Sequence, residues 1–75
     1  MKIIQMEWVD SAVTMGWLYE DDDLLTASHI TTIGFLVKET SDSISVSTSY
    51  SQHKRFVDIL TIPKVAIKKR KFLRI

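Results

Sequence analysis

Three stretches of this chain alternate between larger apolar and smaller or polar residues with a period of two, the pattern of a strand with one buried face. Residues 3–9 place Ile4, Met6 and Trp8 on one side and Gln5, Glu7 and Val9 on the other. Residues 30–39 are rich in β-branched and aromatic side chains, with Ile33, Phe35 and Val37 expected to face inward. Gly34 within that run marks a bend or a close backbone approach. From Ser41 to Ser51 serine takes every odd position, so Ile44, Val46, Thr48 and Tyr50 are expected inside and Ser45, Ser47 and Ser49 outside. An outer face so small and uncharged suits a closely approaching neighbour, either another subunit or a partner.

The connections follow from turn chemistry. Thr40, Ser41, Asp42 and Ser43 read as a tight turn, which makes residues 30–50 an antiparallel hairpin. Gln52 to Arg55 is a polar loop, and the strand from Phe56 to Ile62 stops at Pro63, which has no N–H to give a central ladder. A tight 3₁₀-like turn from Pro63 to Ala66 and a last strand through Ile67, Phe72 and Leu73 complete the set. Between Asp10 and Thr26 the pattern loosens, and Asp21-Asp22-Asp23 ahead of Leu24 and Leu25 permits one short helix or an ordered loop. The expectation is a mostly β single domain over residues 1–75, a five-stranded barrel with at most one short helix. Closure is expected because it hides strand edges that otherwise invite aggregation.

Composition narrows this picture. Seventy-five residues with 45% hydrophobic and 25% charged side chains make a folded domain with a small core. Without cysteine neither disulfides nor thiolate-bound zinc stabilise it, which leaves packing and oligomerisation. No apolar run approaches the roughly 20 residues that span a bilayer, and the start of the chain has no signal-peptide core, so a cytoplasmic protein without membrane contact is expected. The net charge of +1 conceals a division: residues 1–25 carry one base and six acids, residues 26–75 nine bases and three acids. A molecule with two such ends can pair head to tail with copies of itself, and head-to-tail pairing closes into rings.

Few residues suggest catalysis. His29 and His53 are the only histidines, and no acid lies at helical ligand spacing from either. The triple aspartate lacks the alternating acids and the glycine of a calcium loop, and Gly16 and Gly34 cannot make a phosphate-cradling loop. No enzyme activity, cofactor or metal is expected. Binding is better represented. Lys64, Lys69, Arg70 and Lys71 belong to a basic run, with Lys68 and Arg74, that attracts phosphates, although lysines on an edge strand also serve simply to block edge-to-edge pairing. Trp17 and Tyr19 are the aromatics least claimed by a strand and suit stacking on a base or anchoring an interface, or else capping the barrel end. Tyr50, His53, Lys54 and Arg55 crowd one turn and combine stacking with charge.

Two resemblances follow from these residues. The strand Ile33-Gly34-Phe35-Leu36-Val37, the turn with Asp42, the strand Ile44 to Thr48 and the turn in Thr61 to Ile67 resemble an Sm-like barrel of the bacterial RNA-chaperone type, over about residues 30–70. That resemblance implies ring oligomers binding RNA or nucleotides at subunit boundaries. Only Lys64 matches that family's tyrosine-lysine-histidine run, and residues 1–25 hold a strand where the family has a helix, so an SH3-like barrel of other connectivity stays open. Glu7-Trp8-Val9-Asp10-Ser11, Gly16-Trp17, Thr32 to Val37 and Leu60-Thr61-Ile62-Pro63-Lys64 resemble small accessory proteins of bacteriophages. This implies a protein of the host cytoplasm with a host-directed or counter-defence role. The function expected is therefore non-enzymatic binding of nucleotide or RNA by a homo-oligomer. The alternative is a protein-protein inhibitor or adaptor that acts on a host protein.

Overall fold

The structure, a computed structural model, describes residues 1–11, 17 and 27–74. The short helix or loop expected around Asp21-Asp22-Asp23, together with Gly16 and Tyr19, lies outside the described residues. Five strands form: β1 (Ile3–Asp10), β2 (Ser28–Glu39), β3 (Ser43–Tyr50), β4 (Phe56–Pro63) and β5 (Ile67–Leu73), with a 3₁₀ turn at Lys64–Ala66 before the last. They make one antiparallel sheet in the order β4-β3-β2-β1-β5. The sheet is open. In place of the expected barrel closure, the first and last strands of that order, β4 and β5, remain unpaired with each other.

Burial nonetheless brings distant strands together. Ile4 and Met6 of β1, Ile44 and Val46 of β3 and Ile62 of β4 form the buried cluster, with Trp8, Leu36, Ala66 and Ile67 packed against it. Since β1 and β3 are not neighbours in the sheet, this cluster requires the sheet to curl over its own apolar face. The turn after β4 follows the curl, and its Lys64 N–H donates to the carbonyl of Asp42 at 2.7 Å. In the hairpin turn Thr40 Oγ1 accepts from the N–H groups of Asp42 and Ser43, which is the turn chemistry read in the sequence.

In β2 the expected inner face is the outer one. Ile33 is 56% exposed, while Gly34 is buried and Leu36 packs on the core. The register explains the reversal: Ile4 lies opposite Gly34 and Ile3 opposite Phe35, so the buried side of β1 faces the glycine side of β2. A Cβ on Gly34 would sit 2.8 Å from the Ser47 carbonyl oxygen and 3.2 Å from Val46 Cβ. The glycine thus marks a close approach of β3.

The serine alternation also ends early. Ile44 and Val46 face in as expected, but Ser47 is buried at 1% exposure and Thr48 is exposed. Ser47 Oγ accepts from the Val57 N–H at 3.1 Å and the Ser49 N–H at 3.3 Å, and lies within donating reach of the Val57 and Ser49 carbonyls. Opposite, Asp58 has φ 53, a left-handed conformation that breaks the regular edge of β4. The serine hydroxyl satisfies backbone groups where the ladder is interrupted. Ser45 is held to Thr61 across the strands, Oγ to Oγ1 at 2.8 Å. Two of the three small serines are therefore accounted for inside the molecule, without an external neighbour.

Candidate nucleic-acid interface

Two β-bulges decide which way the charged side chains point. Directly paired residues share a face, so the β1–β5 register assigns sides: Ile67 lies with Trp8, Arg70 with Met6 and Phe72 with Ile4 on the core side. Lys69 lies with Glu7, Lys71 with Gln5 and Leu73 with Ile3 on the outside. Strict alternation from Ile67 would send Lys69 and Lys71 into the core. The register shift between Glu7 and Trp8 leaves Lys68 as the extra residue and reverses the alternation beyond it.

A second shift, between Leu36 and Lys38 of β2, puts Glu39 opposite Ile44 and so on the core side. There Glu39 meets two cations from other elements. Its Oε2 lies 2.7 Å from Lys64 Nζ and 2.9 Å from Arg70 Nη1. The hydrogen bond from Lys64, and then that from Arg70, hold its carboxyl down at about 2 against an ordinary 4.5. Lys64 and Arg70 are consequently engaged in a clasp that ties the 3₁₀ turn and β5 to the end of β2.

The other cations of the run are differently placed. Among the described residues no carboxylate lies within salt-bridge distance of Lys68, Lys69 or Lys71. Along β1 and β5 a shallow hollow of about 470 Å³ is lined by Gln5, Glu7, Lys69, Arg70 and Lys71. Another, of about 350 Å³, shares Glu7 and Lys69 and adds Trp8, His29, Ile30, Thr31 and Lys68. Lys2 extends the basic edge, its Nζ standing 4.9 Å from the centre of the Phe72 ring.

The turn between β3 and β4 forms a separate group. His53, Lys54 and Arg55 are exposed there, in a turn where Ser51 Oγ accepts from the N–H groups of His53 and Arg55. The Tyr50 ring packs 5.0 Å from Phe56 and 6.4 Å from Phe35, so its contacts are within the sheet. Trp17 is fully exposed, and Tyr19 lies outside the described residues. The expected site residues thus divide into the clasp pair Lys64 and Arg70, the outer pair Lys69 and Lys71, and the turn with Tyr50, His53, Lys54 and Arg55. Sequence reading missed Gln5, Glu7 and Thr31 beside the outer pair. Their only signal was their position on the polar side of strands whose register was unknown.

The fold and this edge define a class: a small antiparallel β protein with one open, cation-rich edge. The chain matches no family model, no curated protein and no solved structure. Among the described residues no group of side chains is arranged to hold a metal ion, and no helix is long and apolar enough to cross a membrane.

Proposed function

We propose that this protein is a non-enzymatic binder of nucleotide or RNA, of the small accessory kind that bacteriophages encode, acting as a homo-oligomer in the host cytoplasm with a counter-defence role. The observation that carries the reading is the set of cations, Lys68, Lys69 and Lys71, that have no carboxylate at salt-bridge distance among the described residues and lie along an edge strand. Cations at that density attract phosphate and bind it less tightly as salt rises. The 3₁₀ turn before the last strand is in keeping with the Sm-like reading, in a sheet that is open rather than a closed barrel. The two edge strands, β4 with exposed Val57, Ile59 and Leu60 and the basic β5, are unpaired on their outer sides among the described residues and differ in character, which supports head-to-tail assembly.

One observation favours the second reading, a module that inhibits or adapts a host protein. The edge strand β4 exposes Val57, Ile59 and Leu60 and has no lysine or arginine from Phe56 to Pro63, so apart from the irregularity at Asp58 it offers a partner strand an apolar edge. Native mass spectrometry of protein purified from cells separates the readings. The first predicts an oligomer carrying co-purified nucleotide or RNA; a ligand-free monomer that captures a single host protein would replace it with the second.

A further inference from the structure

We infer that the outer side of β5 reads a repeating phosphodiester strand, with successive phosphates on Lys69 and Lys71 and the flanking bases over Gln5, Glu7, Thr31 and His29. This rests on the nucleic-acid reading above and specifies its ligand as a single-stranded polymer, ribo or deoxyribo. Three features of the edge lead to it.

The first is spacing. Residues two apart on a strand lie about 6.8 Å from one another, close to the separation of successive phosphates in an extended single strand. Lys69 and Lys71 have that relation and share the outer face because the bulge at Lys68 reverses the alternation. A lone mononucleotide would use only one of them at a time.

The second is freedom. Lys64 and Arg70 are bound to Glu39, whereas Lys69 and Lys71 have no carboxylate at salt-bridge distance among the described residues. Glu7, paired with Lys69 across the strands, is a hydrogen-bond acceptor in a place where a third phosphate would be repelled. It accepts base N–H groups, or a 2′-hydroxyl in a ribo strand. Gln5 and Thr31 add neutral donors and acceptors beside it.

The third is continuity. The two hollows share Glu7 and Lys69, and together they run from Lys71 and Gln5 to Thr31 and His29. Each is open to solvent rather than enclosed, which suits a strand passing across it better than a small molecule held within it.

The test is fluorescence anisotropy with end-labelled ribo and deoxyribo hexamers over a salt series, with AMP and GMP as competitors. Lys69→Gln and Lys71→Gln are each expected to weaken hexamer binding about tenfold at low salt and to flatten the log-log salt slope by roughly 0.7. Lys38→Gln, at an exposed lysine outside the hollows, serves as the control and should bind as the wild type does. Preference for the ribo hexamer would assign the Glu7 contact to the 2′-hydroxyl; equal affinity would assign it to the bases, and both outcomes support the strand. Hexamer binding unchanged in both variants would overturn this inference while leaving nucleic-acid binding intact. So would mononucleotides competing as well as hexamers. Absence of binding by every probe would remove the broader reading as well.

Discussion

Ser47 shows how much a single small side chain does in this sheet. Its hydroxyl serves the Val57 and Ser49 backbone at the point where Asp58 departs from strand geometry. Replacing it with alanine leaves buried backbone groups unpaired, at a cost of about 1–3 kcal/mol. Urea denaturation should show that loss for Ser47→Ala, whereas Ser49→Ala, at an exposed position, should change stability by less than about 0.5 kcal/mol. Equal effects at the two serines would contradict the role given to Ser47. Gly34 belongs to the same local arrangement, since the backbone of β3 occupies the space where any other residue would carry its Cβ.

Among the elements, the Glu39 clasp is what joins the 3₁₀ turn and β5 to β2. Its carboxyl titrates at about 2 in the folded chain against an ordinary 4.5. A depressed folded value means that the stabilisation is fully present above about 4.5 and fades as pH falls through about 2. Glu39→Gln is therefore expected to melt below the wild type at neutral pH, with the two melting temperatures converging as the medium is acidified toward pH 2. Because the groups are partly exposed, the difference should be modest and should shrink in concentrated salt. A gap that persisted unchanged into strong acid would show that the charge of Glu39 is not its source.

At the scale of the molecule, the two edge strands, each paired on one side only among the described residues, differ in their protection. β5 carries Lys68, Lys69, Arg70 and Lys71, which discourage pairing with another copy of itself. β4 carries no lysine or arginine and is interrupted only at Asp58, and Ile59 is 54% exposed on it. Sedimentation should detect concentration-dependent self-association of the wild type, and Ile59→Lys should shift it toward monomer with the fold unchanged. A wild type that remains monomeric at micromolar concentration would exclude assembly through this edge.

The local alternation was sufficient to locate the strands, the hairpin turn at Thr40 to Ser43, the stop at Pro63 and the buried positions Ile4, Met6, Ile44 and Val46. These depend on residues near one another in sequence, where period, turn chemistry and the missing proline N–H act directly. It misjudged β2, because the face carrying Ile33 and Phe35 is the more apolar one, while the face against the core is chosen by the close approach at Gly34. It also could not orient the basic run, since one extra residue at Lys68 reverses every side chain after it. Nor did anything near Glu39 announce Arg70, 31 positions away. Bulges and registers are settled by pairing between strands distant in sequence. The charged edge therefore took its form only in the tertiary structure, although every lysine in it was visible from the start.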